Sequence, residues 1–193
     1  MFSHRSTHHG LIAVIASIVC IATPVAVRGQ AVFDTKAAGH IRDKYLSDLD
    51  TLHARFMALA VAIPADKYGW RPSTEVRSVS EVFMHIASEW YYYEPKSVGG
   101  NPPADFGAPK EAMAKLEKTI TAKADVIAEL NKAWAYGRAQ VAAADPSTLT
   151  GPIKPFGLTI DEVAIGFPGD LHEHLGQLIA YARSNGVKPP WSK

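Results

Sequence analysis

The sequence predicts an all-α protein, an up-down bundle of four helices, and three observations lead to this prediction. Apolar residues recur at intervals of three and four along four long stretches, which is the period of an amphipathic helix. Loops of about ten to fifteen residues, rich in proline and glycine, separate these stretches. No stretch shows the two-residue alternation that is typical of a strand. Long helices joined in this way form a four-helix bundle.

The first predicted helix runs from Phe33 to Ile63 and ends before Pro64, which cannot continue it. Its apolar stripe consists of Ile41, Tyr45, Leu49, Leu52, Phe56, Leu59 and Ile63. His53 falls beside this stripe. A histidine in that position is more often a core or boundary residue than a ligand, so we interpret His53 as a packing residue.

The second predicted helix begins after Ser78, because Ser78 and Glu81 have the spacing of a capping box. It ends at the three tyrosines 91–93. His85 lies on the flank of its apolar face, with glutamates four residues before and after it, Glu81 and Glu89. This row suits a metal ligand with supporting carboxylates, and it suits a surface ion pair equally well.

The third predicted helix begins at Pro109 and continues as one apolar stripe to Val141, a length of about nine turns. A second capping box, Thr159 with Glu162, begins the fourth helix. The segment 166–169, Gly-Phe-Pro-Gly, is expected to kink or interrupt this helix.

The fourth helix carries the most informative stretch of the chain, residues 170–177, with the sequence DLHEHLGQ. Asp170 and His174 are four residues apart and project from nearly one face, whereas His172 points to roughly the opposite side. Asp170 and His174 therefore form the natural pair for a metal ion. A third ligand has to come from elsewhere, and His85 is the candidate. The helix is predicted to end at Asn185-Gly186.

The N-terminal segment has the layout of a secretory signal peptide. A polar start with Arg5 precedes an apolar run from Leu11 to Val27, and small residues follow. We predict a signal peptide over residues 1–31 with cleavage after Ala31, a folded domain over residues 32–193, and a periplasmic or secreted location. The alternative is an uncleaved membrane anchor, since the apolar run is near the lower length limit for a span.

Composition excludes some functions. Removal of residues 1–31 takes Arg5 and Arg28 from the 20 basic residues, which leaves 18 against 19 acidic ones. Nothing in this balance resembles a nucleic-acid-binding surface. The only cysteine, Cys20, lies in the predicted signal peptide. The mature domain therefore has no disulfide and no thiol nucleophile of its own.

Two blocks of the chain resemble the DinB/YfiT-like superfamily. The first is residues 68–72, YGWRP, followed by residues 77–87, RSVSEVFMHIA. The second is the stretch 170–177, followed by YARSNG at 181–186 and PPW at 189–191. The similarity covers essentially all of residues 33–193. The resemblance implies a four-helix bundle that holds a divalent metal ion at one place in its core.

The resemblance also implies a ligand set. In that family one histidine comes from the second helix, at the position of His85. Two come from the last helix, four residues apart and before a Gly-Gln pair. The later of these matches His174, but the earlier is Asp170 in this chain. The predicted metal ligands are therefore His85, Asp170 and His174, a two-histidine-one-carboxylate set with open positions. The alternative is that Asp170 weakens or abolishes the site.

Family members include transferases and isomerases that use low-molecular-weight thiols. The resemblance thus implies a metal-dependent thiol transferase or hydrolase with bound Zn²⁺, Fe²⁺ or Ni²⁺ and a small-molecule substrate. Export argues against the thiol reaction, because such thiols are mainly cytosolic reductants. The alternative function is a non-catalytic, stress-related binding bundle with a vestigial or structural metal site. A homodimer is compatible with either function.

Overall fold

The structure is a computed structural model, and it describes residues 31–192, which form five α-helices and two short 3-10 helices. The α-helices are α1 (Thr35–Ala62), α2 (Val79–Ser97), α3 (Pro109–Thr119), α4 (Lys123–Ala143) and α5 (Ile160–Ser184). The 3-10 helices are Ala65–Lys67 and Pro146–Leu149. The all-α prediction is confirmed. The predicted signal peptide lies outside the described residues except for Ala31.

The predicted third helix is in fact two helices, so the prediction of one continuous stripe is wrong. Helix α3 ends at Thr119, Ile120 has an extended conformation, and α4 begins at Lys123. The break falls at Thr119, Ile120 and Thr121, three consecutive β-branched residues that lose side-chain freedom in a helix. Packing favours the same break, since α3 contacts α2 whereas α4 contacts both α1 and α2.

Two predicted helix interruptions do not occur. Helix α2 continues past the tyrosines to Ser97 and includes Pro95, and α5 continues through Pro168. Each proline removes one backbone hydrogen bond. Both prolines are buried. Because packing of the apolar face supplies most of a helix's stability in a protein, that burial outweighs the lost bond.

The helix ends agree with the sequence signals. The backbone N–H of Ser78 donates to Glu81 Oε2 at 2.8 Å, and that of Thr159 donates to Glu162 Oε2 at 2.8 Å. At the end of α5, Gly186 has a positive φ of 74°. The N–H of Val187 then donates to the carbonyl of Ala182 at 2.9 Å, the pattern of a Schellman motif. The predicted capping boxes and the predicted end of α5 are confirmed.

Helix α2 is central to the packing, because it contacts α3, α4 and α5, while α1 contacts α4 and α5. The approach of α2 to α4 is close at Gly137, where an added Cβ would lie 2.5 Å from the carbonyl oxygen of Trp90. The largest fully buried side chains include Trp90, Tyr45, Tyr68, Phe56 and Phe83. Within residues 31–192, no helix is long and apolar enough to span a membrane.

Candidate metal centre

Three side chains from two helices converge beside the core. His85 and Glu89 lie one turn apart on α2, and His174 faces them from α5. The Nε2 atom of His85 is 3.3 Å from Glu89 Oε1, and the Nε2 atom of His174 is 3.7 Å from the same oxygen. Only 8% of the Glu89 side chain is exposed, so the two imidazoles surround a carboxylate that is nearly sealed from water.

The three potential ligand atoms lie within 4.8 Å of one another, and this group can hold a metal ion. Ligand atoms about 2.0–2.2 Å from a tetrahedral ion are separated by roughly 3.3–3.6 Å. The cluster needs only a small contraction to reach that spacing. The other carboxylate oxygen, Glu89 Oε2, is buried and has no hydrogen-bond partner among the described residues. Two imidazole nitrogens and a carboxylate are donors that suit Zn²⁺, Fe²⁺ and Ni²⁺.

The outer nitrogen of His85 is held by a carboxylate from a third helix. His85 Nδ1 is 3.1 Å from Glu117 Oε1 on α3. Glu117 in turn accepts hydrogen bonds from the Arg77 guanidinium Nε at 3.1 and 3.2 Å. A proton on Nδ1 leaves Nε2 of a neutral ring free to bind an ion, and a carboxylate behind a ligating histidine fixes its orientation.

The outer nitrogen of His174 has an analogous but neutral partner. His174 Nδ1 is 3.4 Å from Gln177 Oε1. The amide of Gln177 donates to the hydroxyl of Tyr181 at 3.0 Å, and that hydroxyl donates to the backbone carbonyl of Arg77 at 3.2 Å. Arg77 therefore connects the supports of both histidines, through its side chain on one side and its backbone on the other.

The three side chains of the cluster shift one another's pKa values. Burial alone lowers the pKa of His85, but the hydrogen bonds of Glu117 and Glu89 outweigh it and raise that pKa to about 9. Burial favours the neutral acid at Glu89, yet His174 and His85 lower its pKa to about 2. Glu89 likewise raises the pKa of His174, against burial. At neutral pH His85 is therefore the positively charged partner of the Glu89 carboxylate.

Asp170 stands beside this group. Its Oδ2 is 3.8 Å from His174 Nε2, and 54% of its side chain is exposed. Burial and the repulsion of Glu89 raise the pKa of Asp170. Of the three predicted ligands, the structure brings His85 and His174 together, and it adds Glu89 as the third member of the group. The role of Asp170 as a ligand stays a prediction.

For some of the other site residues the sequence contained a signal, and for others it did not. His172 is exposed on the outer side of α5, as its spacing indicated. Glu89 carried a signal, since it lies four residues after His85 on one helical row. Glu117 and Arg77 carried none, because they come from a separate helix and from the loop before α2.

Comparison with known proteins shows the family of the chain. The sequence model of a protein family described as the DinB superfamily matches residues 48–178, which is most of the chain. The chain belongs to the DinB superfamily. Searches of curated proteins and of solved structures found no match. The matched segment contains His85, Glu89 and His174, so the three residues of the candidate metal centre lie inside the family region.

A cavity opens next to the cluster, between α2 and α5. Its volume is about 460 Å³. It is lined by His85, Glu89, Tyr93, Glu94, Met113, Leu158, Gly166, Phe167, Asp170 and Leu171. His85 and Glu89 of the candidate metal centre, together with Asp170, thus border a space of the size that small-molecule sites in proteins have.

Proposed function

We propose that this DinB-superfamily protein binds one divalent transition-metal ion through His85, Glu89 and His174 and uses it to transform a small molecule in the adjacent cavity. We also propose Asp170, whose Oδ2 is 3.8 Å from His174 Nε2, as a fourth ligand. The observation that carries the proposal is that both inward-facing Nε2 atoms lie within 3.7 Å of a single buried carboxylate oxygen. Without a metal ion, the positive charge opposite that carboxylate comes from His85, whose pKa is raised to about 9.

The supporting groups favour a metal site over a simple ion-paired cluster. Glu117 and Gln177 hold the outer nitrogens, so both rings present Nε2 to the same point. A metal site depends on this shared orientation, because both imidazoles have to direct a lone pair at the same ion. The buried and unpartnered Glu89 Oε2 is a further atom that an ion would satisfy.

A bound divalent ion of this kind lowers the pKa of a water or thiol that coordinates it and so supplies a nucleophile at neutral pH. The residues of the chain have three further roles. The two histidines and Glu89 leave the cavity side open, Glu117 and Gln177 fix the rings, and the walls of the cavity exclude bulk water from the substrate.

Hydrolysis is the reaction that we propose in preference to thiol transfer. The sequence predicts export, and low-molecular-weight thiols are mainly cytosolic. We retain the proposal of a periplasmic or secreted location from the N-terminal sequence pattern alone. A thiol transferase acting in the cytosol is the second candidate, and family resemblance supports it.

Metal content of the purified full chain, measured by elemental analysis without prior use of an affinity metal, tests the site. We expect about one ion per chain, the stoichiometry of a single three-ligand site. His85→Ala, His174→Ala and Glu89→Gln should each lose the ion. His172→Ala is the matched control, since it removes an exposed histidine from the same helix and should keep the ion.

Asp170→Asn separates two ligand sets. If Glu89 is the carboxylate ligand, Asp170→Asn keeps the ion and Glu89→Gln loses it. The reverse outcome would restore the set predicted from sequence, with Asp170 as the carboxylate. A chain that takes up no zinc, iron or nickel, with His174→Ala indistinguishable from the parent, would leave the non-catalytic binding bundle as the better description.

A further inference from the structure

We propose that the cavity between α2 and α5 is a binding site for small neutral or cationic molecules with an apolar body, and that Glu94 at its inner wall receives their polar group. The proposal deepens the proposed function, because it names the class of substrate that would meet the metal centre. It rests on three features of the cavity: its walls, the buried Glu94 carboxyl group outside the metal centre, and its charge.

The walls are apolar and aromatic. Tyr93 of α2 and Phe167 of α5 face each other with ring centroids 6.1 Å apart. Met113, Leu158 and Leu171 complete the apolar lining. A pocket of this kind binds an apolar or aromatic ligand body through contact area, while a few polar groups determine its orientation.

Glu94 is a polar residue of the cavity wall whose carboxyl group has no role in the metal centre. Its residue is only 2% exposed, and its Oε2 has no hydrogen-bond partner among the described residues. Burial, reinforced by Glu89 and Asp170, raises its pKa well above the ordinary value. A buried acid without a partner is costly, so such groups have to be explained by a ligand, a water molecule or an ion.

The metal centre does not account for Glu94. Glu89 lies between the two histidines, and Asp170 stands beside His174. Glu94 lies outside the group of three potential ligands, yet it lines the same cavity. A carboxyl group left over beside a metal site is available to accept a hydrogen bond from a substrate or to pair with its positive charge.

The charge of the lining sets the ligand class. Three carboxyl groups and one imidazole line the cavity, and among residues 31–192 no lysine or arginine does so. The nearby Arg77 lines a different cavity, on the far side of Glu117. A divalent ion with Glu89 and Asp170 makes a neutral set, and Glu94 then adds negative charge when ionised. Anionic ligands, which need basic partners, are disfavoured.

Three probes of similar shape test this inference on the zinc-loaded full chain. They are benzyltrimethylammonium as the cation, benzyl alcohol as the neutral molecule and benzenesulfonate as the anion. Ligand-detected NMR titration gives their dissociation constants. We expect the cation and the alcohol to bind and the sulfonate to bind at least about tenfold more weakly, because no basic group receives it. Equal affinity for sulfonate and cation would overturn the charge argument.

Glu94→Gln tests the acid itself with almost no change in shape. We expect benzyltrimethylammonium to lose roughly tenfold in affinity, because the cation favours ionisation of the Glu94 carboxyl whereas the glutamine amide cannot ionise, and benzyl alcohol to change less than about twofold. Glu173→Gln, an exposed glutamate on α5, is the matched control and should change neither. If Glu94→Gln leaves the cation's affinity unchanged, Glu94 is not the recognition group.

Two glycines give a test of the cavity that does not depend on Glu94. Gly166 lines the cavity and Gly169 does not, and a Cβ added at either position meets nothing within 4 Å. Gly166→Leu should fill the cavity and abolish binding of both favoured probes. Gly169→Leu should bind them like the parent. Binding that survives Gly166→Leu would place the probes elsewhere and overturn the site.

Zinc content of each variant separates this inference from the proposed function. Gly166→Leu and Glu94→Gln should both retain the ion, since neither changes a ligand. If the parent binds no zinc but the probes bind with the expected preferences, the metal proposal fails and the cavity proposal stands. If zinc binds and the preferences are absent, the cavity proposal alone fails.

Discussion

Two histidines of similar burial, His53 and His85, have opposite surroundings. Both lie on the flank of a helix's apolar face, and both are half-buried. His53 on α1 stacks on the ring of Trp134 with centroids 4.0 Å apart and meets Asn131 Oδ1 at 3.1 Å. His85 on α2 contacts the carboxylates of Glu89 and Glu117 instead.

The difference in partners reverses the acidity of the two rings. Burial lowers the pKa of His53, and its neutral partner Asn131 compensates only in part. Burial also lowers the pKa of His85, but the hydrogen bonds with Glu117 and Glu89 outweigh it and raise that pKa to about 9. Burial alone therefore does not indicate a functional histidine. The charge of the groups that touch the ring decides between packing and ligand roles.

The largest effect should come from zinc itself. Free zinc at a thousand times its dissociation constant should stabilise the parent by about 4 kcal/mol, because only the folded chain holds the site. His53→Ala should show the same gain, and His85→Ala should show none. Urea unfolding with and without buffered zinc measures the gain within each variant. If zinc did not stabilise His53→Ala, the distinction between His53 as a packing residue and His85 as a ligand would be wrong.

A smaller effect should follow from removing each ring's partner in the metal-free protein. Glu89→Gln at pH 7 should cost about 2–3 kcal/mol of unfolding free energy, because the protonated His85 imidazole loses a buried counter-charge. Asn131→Ala, which removes the exposed partner of His53, should cost less than about 0.5 kcal/mol. Urea titration without metal gives both values, and similar costs would show that the two sites do not differ in electrostatic character.

The smallest effect concerns pH, again without metal. The pKa of His85 is raised, so its contribution to stability is complete below about pH 6.5 and is lost as pH rises through about 9. His53 has a lowered pKa, so its contribution is complete above pH 6.5 and is lost as pH falls through the folded-state pKa.

Between pH 6.5 and 9 the parent should therefore lose about 1 kcal/mol more than His85→Ala, a figure kept small because the cluster borders solvent. NMR titration should place the His85 ring as the more basic and the His53 ring as the more acidic. A His85 ring that titrates below the His53 ring would contradict the assignment of charged partners.

Much of the candidate site could be predicted from the sequence. The capping boxes, the apolar stripes of α1 and α5, and the pair His85 and His174 follow from spacing and family resemblance. The position of the Glu89 carboxylate between these two histidines did not follow from spacing or from resemblance. Glu89 lies four residues after His85 and Asp170 four before His174, so each is on the ligand row of its own helix. Which one meets both imidazoles depends on how α2 and α5 are set against each other.

The sequence by itself determined where helices begin and end at strong caps and which faces are apolar, because these are properties of neighbours along the chain, whereas the pairing of His85 with His174 came from family resemblance. Tertiary structure decided the continuity of α5 through Pro168, the support of His85 by Glu117, and the burial of Glu94 in the cavity wall. Each of these depends on packing between segments far apart in sequence, whose free energy local spacing does not encode.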